Sequence, residues 1–189
     1  MALPKQRHTL ADLYAMPESE RGERYELIDG ELVVSPPPVW RHQMISTRLA
    51  AWLTMHVDSE GLGWVNSGPG VAISSRTYLI PDVVFVSRER GDIIDEAGIE
   101  GAPDLAIEIL SPKTRRHDLL TKRAQYAQLG VREYWIIDPD ALTIDVLALA
   151  DGVYHALPQP EPGIIRSQVL PALRLSLPAL FRDLGDGPQ

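Results

Sequence analysis

The chain has 189 residues, of which 44% are hydrophobic and 23% are charged, and its formal net charge is −8. These values are ordinary for a soluble globular protein, and the length suits one domain with a sizeable core. The negative net charge argues against broad electrostatic adhesion to nucleic acid. The lack of cysteine excludes disulfides and thiolate–metal sites. No apolar run approaches the ~20 residues that cross a bilayer.

The N-terminal part of the sequence predicts a lead-in followed by a β-hairpin. Residues 1–24 are polar with a weak helical pattern, whereas 25–189 is predicted to form one domain. Tyr25–Ser35 alternates about Asp29-Gly30, a dipeptide typical of a type I′ turn. We therefore expect a short helix and then a tight hairpin.

A helix and a second hairpin are predicted next. His42–Val57 has apolar residues at helical spacing, which indicates an amphipathic helix that packs on a sheet. Gly-rich turns then precede two apolar runs, Val71–Ile73 and Tyr78–Val86, predicted as a hairpin whose second arm carries Asp82. We expect 87–103 to be a surface loop with one helical turn at 93–97.

The stretch from residue 102 to 140 has the pattern of a strand, a helix and a strand. Two apolar runs, Leu105–Leu110 and Tyr134–Ile137, flank a helical segment that ends at Gly130, a residue suited to the left-handed position after a helix. A helix that crosses between two strands is typical of a parallel βαβ unit. Its apolar positions 120, 124 and 127 are predicted to pack on the sheet.

The last third of the chain predicts one more hairpin and an apolar tail. The hairpin joins 143–149 to 153–157 through Asp151-Gly152, and alternating apolar residues follow in Leu173–Phe181. The predicted fold class is therefore α/β: a mixed central sheet flanked by helices, with added β-hairpins, in a single domain.

Two carboxylates stand out against this fold. Glu108 interrupts a strand that should be apolar on both faces, so it needs a charged partner or a metal. Asp82 opens an apolar run directly after Pro81. The plain alternative is that Asp82 caps a turn and Glu108 pairs with an arginine.

The order of these motifs resembles the PD-(D/E)XK nucleases, and in particular their Uma-type branch of restriction-endonuclease-like proteins. The resemblance runs from about Tyr25 to Asp138, most of the chain. It rests on YELIDGELVVSPPP, His42, PDVVFV, DLAIEILSP, and Asp118, Lys122 and Tyr126 at spacings of four before GVREYWIIDP. The resemblance implies a restriction-endonuclease-like fold and cleavage of DNA that depends on Mg²⁺ or Mn²⁺.

The resemblance also implies a site. Asp82, Glu108 and the carbonyl of Ile109 would hold the metal, because Mg²⁺ binds few direct protein ligands and keeps its waters. The superfamily's usual lysine position is Leu110 here. We predict that Lys122, one helix further on, has taken over that role, with Lys113 in reserve. The alternative is that Lys122 only pairs with Asp118 on the helix surface.

Five residues are predicted as possible accessories to this site: Glu26, Glu31, His42, Lys113 and Asp118. Either glutamate can instead be a solvated carboxylate at the edge of the hairpin, and His42 can be a structural residue at a helix start.

Two other functions stay open alongside a Mg²⁺-dependent endonuclease. One is a catalytically inactive nuclease-fold module that binds nucleic acid or protein, which the leucine at 110 and the acidic balance favour. The other is a metal-dependent hydrolase of small phosphate esters. We predict a cytoplasmic homodimer, because the sheet edges and the apolar tail Leu173–Phe181 offer surface for pairing and related restriction enzymes often cut as dimers.

Overall fold

The computed structural model describes residues 7–17, 19–111 and 117–184, and only the backbone of residues 117–119. Its α-helices are α1 (Leu10–Tyr14), α2 (Trp40–Glu60), α3 (Arg123–Leu129) and α4 (Leu177–Leu180). Its strands are β1 (Arg24–Ile28), β2 (Glu31–Ser35), β3 (Gly63–Ser67), β4 (Val71–Ser74), β5 (Thr77–Leu79), β6 (Val83–Ser87), β7 (Ile99–Glu100), β8 (Leu105–Ile109), β9 (Glu133–Asp138), β10 (Thr143–Ala150), β11 (Val153–Ala156), β12 (Ile164–Ile165) and β13 (Leu175–Ser176).

A six-stranded mixed sheet in the order β11-β10-β9-β8-β6-β3 forms the centre of the fold. Strands β8 and β9 pair in parallel, and the other neighbours in this sheet are antiparallel. The predicted βαβ unit is therefore confirmed, as is the hairpin of β10 and β11. Helix α2 covers one face of the sheet, where Ile45, Leu49 and Leu53 join the strand side chains in one apolar core.

The hairpin of β1 and β2 belongs to a second, five-stranded sheet in the order β2-β1-β5-β4-β7. Asp29 and Gly30 both have positive φ, 51° and 82°, which is the backbone of a type I′ turn. The predicted turn is thus confirmed. Strand β1 also pairs with β5, where Leu27 lies opposite Tyr78. This pairing puts the hairpin beside the chain segment that leads to Asp82.

The segment predicted as one long strand, Tyr78–Val86, is two strands in two different sheets. Strand β5 ends at Leu79, the chain crosses over residues 80–82, and β6 begins at Val83. Pro81 interrupts the run because it has no N–H for a ladder bond. The crossover leaves Asp82 where the two sheets meet.

The loop predicted at 87–103 has more structure than expected. A 3₁₀ helix covers Arg88–Ile93, and β7 pairs in parallel with β4. The helical turn predicted at 93–97 is wrong: Asp95 there accepts hydrogen bonds from the N–H groups of Ala97 and Gly98, a local turn that replaces a helix.

The helix before β9 packs by a different face from the one predicted, since of positions 120, 124 and 127 only Ala127 packs against the core. A π-helical stretch, His117–Lys122, continues into α3, which ends at a left-handed Gly130 as expected. Lys122 and Tyr126 are buried, whereas Leu120 is 63% exposed and Ala124 is exposed. The polar side faces inward because the carboxylates there need partners, as the next subsection shows.

The apolar tail is part of the protein's own core. Leu173, Leu175, Leu180 and Phe181 are buried against the six-stranded sheet and α2. The expectation that Leu173–Phe181 offers free surface for a homodimer is therefore wrong. The sheet edges and the resemblance to dimeric restriction enzymes remain as arguments for pairing.

Candidate active site where the two sheets meet

Asp82 lies at the crossover and is held by three donors. Its Oδ2 accepts a hydrogen bond from the Ile109 N–H at 2.8 Å and lies 3.0 Å from His42 Nε2, while its Oδ1 accepts from Arg24 Nη1 at 2.8 Å. Burial by itself would raise the pKa of Asp82, but the contacts with His42, Ile109 and Arg24 outweigh it and hold that pKa below its ordinary value. Asp82 is thus a fixed, ionised carboxylate.

Glu108 is the neighbouring carboxylate, on β8 of the same sheet. It is buried, and its Oε1 accepts hydrogen bonds from Lys122 Nζ at 3.0 Å and from the Tyr126 hydroxyl at 2.8 Å. Burial and the negative charge of Glu108 raise the pKa of Tyr126 well above its ordinary value, so the tyrosine stays a neutral donor. The predicted partner of Glu108 was an arginine or a metal, whereas the structure supplies a lysine.

Lys122 bridges carboxylates from both sheets. Its Nζ lies 2.9 Å from Glu26 Oε1 and 3.0 Å from Glu108 Oε1. Glu26 comes from β1 and also accepts a hydrogen bond from the Ile80 N–H at 2.7 Å. Since only 4% of Lys122 is exposed, the alternative of an ordinary surface pair does not describe this residue.

These residues line one cavity of about 280 Å³. Strand β1, the crossover, β8, α2 and the helix before β9 all contribute to it, and residues 35–39 form part of its wall. Its lining residues are Arg24, Glu26, Ser35, Pro36, Pro37, Pro38, Val39, His42, Ile80, Asp82, Glu108, Ile109, Ser111 and Lys122.

Most, but not all, of the predicted site residues meet in this cavity. Asp82, Glu108, Ile109 and Lys122 do, together with the accessories Glu26 and His42. Glu31 is exposed on β2 and does not line the cavity. Lys113 lies outside the described residues, and so does the side chain of Asp118.

Arg24 and Tyr126 are the site residues that sequence reasoning missed. Arg24 stands two positions before Glu26 on β1, and the period of a strand puts residues i and i+2 on one face. That spacing could have brought Arg24 into the candidate site. Tyr126 was named as part of the helix motif and was given no role in the site; it is buried in the core, and its hydroxyl donates a hydrogen bond to Glu108.

The donor chemistry of the cavity fits a hard cation. Among the described lining residues, three carboxylates (Asp82, Glu108 and Glu26) face two basic side chains, Lys122 and Arg24, so the formal charge of the set is −1 with His42 counted as neutral. Carboxylate and carbonyl oxygens are the ligands that Mg²⁺ prefers. However, no group of three or more His, Cys, Asp or Glu side chains within the described part of the chain is arranged to hold a metal as it stands. An ion would have to replace lysine and arginine contacts.

Comparisons with known proteins match this arrangement to a family. The family model described as Uma2, "Putative restriction endonuclease", matches residues 10–178. The chain belongs to the Uma2 family. No curated protein matches the chain.

The fold of this Uma2 family member is shared with a solved structure. That structure is the crystal structure of a protein from Anabaena variabilis described as a "putative nuclease". It superposes on this chain with a TM-score of 0.76 at 23% sequence identity. The match covers 93% of this chain and 98% of the Anabaena chain. The predicted α/β, restriction-endonuclease-like fold is confirmed. Within the described residues, no helix is long and apolar enough to span a membrane.

Proposed function

We propose that the protein is an endonuclease that depends on Mg²⁺ or Mn²⁺ and hydrolyses phosphodiester bonds in DNA. One observation carries the proposal: Lys122 Nζ lies within 3.0 Å of Glu108 and Glu26 in the cavity that also contains Asp82. A lysine from the following helix thus reaches the strand carboxylate, as a migrated catalytic lysine would need to do.

Each side chain has a role in this proposal. Asp82, Glu108 and the Ile109 carbonyl would hold the ion, which when bound supplies charge neutralisation at the phosphate and a more acidic water. Lys122 donates protons from Nζ and would orient the attacking water or meet charge on the phosphate. Arg24 and Tyr126 keep the two carboxylates in place through the hydrogen bonds described above.

The metal is tested by isothermal calorimetry on two shape-preserving variants. Asp82→Asn and Glu108→Gln each remove a charged ligand, so the affinity for Mn²⁺ should fall sharply in both while the circular dichroism spectrum stays that of the wild type. The control is Glu31→Gln, which changes an exposed glutamate outside the cavity and should bind like wild type. Wild-type affinity in both cavity variants would show that the assigned metal site is wrong.

One observation favours the second candidate, an inactive nuclease-fold module. The carboxylates are already paired with Lys122 and Arg24, and such pairs can stabilise a fold without any metal. In that case neither Mg²⁺ nor Mn²⁺ should give a calorimetric signal, and no DNA should be cut.

The proposal includes a cytoplasmic location and a homodimer. The homodimer is supported by the sheet edges and by the resemblance to restriction enzymes that cut as dimers.

A further inference from the structure

The reactive groups of the cavity lie in a recess. Only 4% of Asp82 and 3% of Glu108 is exposed, and residues Pro36–Val39 wall the cavity, whose volume is about 280 Å³. A DNA duplex is stiff over ~150 base pairs, so bending its backbone sharply into a recess of this size costs free energy. An unpaired strand is flexible enough to place one phosphate there.

The charge of the protein also disfavours duplex binding. Sequence-independent affinity for a duplex comes from lysine and arginine contacts with phosphates, and this chain has 18 such residues against 26 aspartates and glutamates. Proteins that bind unpaired strands add a second source of affinity, because aromatic side chains stack on the exposed bases.

An aromatic side chain of the right kind stands beside the recess. Trp40 is 71% exposed, and it directly follows Val39, a residue of the cavity wall. Trp40 is the first residue of α2, and the guanidinium of the next residue, Arg41, donates hydrogen bonds to Asp140 at 3.0 Å and to the Pro139 carbonyl. The indole is therefore displayed on a helix, which is a rigid support.

We propose that the substrate is unpaired DNA and that Trp40 stacks on a base of the strand whose phosphate enters the cavity. This inference rests on the proposed nuclease function and specifies its substrate class. The rigid support matters because a side chain that is already in place loses little conformational entropy when the base binds.

The test is a binding measurement on paired and unpaired forms of one sequence. Fluorescence anisotropy of a labelled oligonucleotide, with Ca²⁺ in place of Mg²⁺ or Mn²⁺ so that a hard cation still occupies the carboxylates, should show the wild type binding the single strand at least about tenfold more tightly than its duplex. Trp40→Ala should weaken single-strand binding by about 5-fold to 100-fold, the loss expected for one stacked base. Trp40→Phe should retain most of the affinity, and duplex binding should change little in either variant.

The matched control is the same change at another exposed tryptophan. Trp64 is 44% exposed on β3 and lines a different cavity, so Trp64→Ala should bind the single strand like wild type. Equal loss in Trp40→Ala and Trp64→Ala would overturn the inference, as would duplex binding equal to single-strand binding.

Cleavage and binding assays together distinguish an error in the substrate class from an error in the nuclease activity. If Mn²⁺ supports cutting of duplex and single strand alike, in Trp40→Ala as in wild type, the substrate class is wrong and the nuclease stands. If Trp40 governs single-strand binding but no ion supports cutting, the stacking role stands and the nuclease fails. If wild type binds neither form, both are wrong.

Discussion

At the scale of single residues, Lys122 is the side chain on which the proposed function depends most. Leu110, two residues after Glu108, is buried in a core cluster with Tyr126 and Tyr134 and has no charge to offer. Lys122 reaches Glu108 from the next helix. Under the proposed function this ammonium group would serve as the catalytic lysine.

Replacing Lys122 with methionine should separate catalysis from metal binding. Since an ammonium cannot ligate a cation, Mn²⁺ should still bind, whereas cleavage of a substrate that wild type cuts should fall by about 10²–10⁴. Glu26 and Glu108 would lose their shared partner, so the free energy of unfolding without metal should fall by about 3–5 kcal/mol. Mn²⁺ should restore part of that loss, because it binds only the folded state.

The companion variant for Lys122→Met is Lys113→Met, assayed on the same substrate and by the same urea denaturation. It should lose much less activity and little stability. If Lys122→Met cuts at the wild-type rate and Lys113→Met does not, the catalytic lysine is Lys113.

Asp82 should make stability depend on pH in the acid range. Its pKa is lowered in the folded state from an unfolded value of ~3.9, so its contribution is present above about pH 4 and is lost as the pH falls through the folded pKa. The free energy of unfolding from urea titrations should therefore fall between about pH 5 and pH 3, and less steeply in Asp82→Asn. An unchanged slope in that variant would contradict the prediction.

Asp104 provides a matched variant outside the cavity. It is fully buried, and although burial raises its pKa, hydrogen bonds from Ser87, Arg90 and Arg132 lower it below the ordinary value. Asp104→Asn should flatten the acid slope in the same way as Asp82→Asn. Unlike Asp82→Asn, it should bind Mn²⁺ like wild type.

At the scale of elements, the helix before β9 packs by its polar side. Tyr126→Phe removes a donor to the buried Glu108 and should cost about 1–3 kcal/mol of unfolding free energy, measured by urea denaturation. Leu120→Ala should cost less than about 0.5 kcal/mol, because that side chain is 63% exposed. The reverse order would mean that the apolar side faces the sheet after all.

Turns and helix ends could be predicted from the sequence, whereas the sheet that each strand joins could not. The Asp29-Gly30 turn and the Gly130 helix end follow from backbone conformations that few residues adopt, so they could be read from the sequence. The sheet that a strand joins depends on distant partners, and the crossover at residues 80–82 was therefore missed. The inner face of the helix was misjudged because its polar residues are partners of buried carboxylates on other strands, which apolar periodicity does not reveal.

At the scale of the whole molecule, the candidate site exists only because two sheets meet. Arg24 and Glu26 come from one sheet, Glu108 belongs to the other, and Asp82 lies in the crossover between them. The sequence predicted the carboxylates and Lys122 as one site, but their mutual pairing and the role of Arg24 depend on the contact between sheets. The stability of that contact and the geometry of the site are thus coupled through Lys122, which binds a carboxylate from each.

The oligomeric state is the last prediction and concerns the sheet edges. With the apolar tail buried, pairing would have to use an edge such as β11, where Val153 is 56% exposed. We expect light scattering at micromolar concentration to give twice the 21.0 kDa of one chain. Val153→Lys should shift the mass towards the monomer, because a lysine on an edge strand opposes edge-to-edge pairing.

The control for the edge is Met55→Lys, which puts the same charge on an apolar side chain that is 75% exposed on α2, away from any strand. It should leave the dimer intact. A wild-type mass near 21.0 kDa would contradict the homodimer. A dimer that survives Val153→Lys but not Met55→Lys would move the interface from the β11 edge to α2.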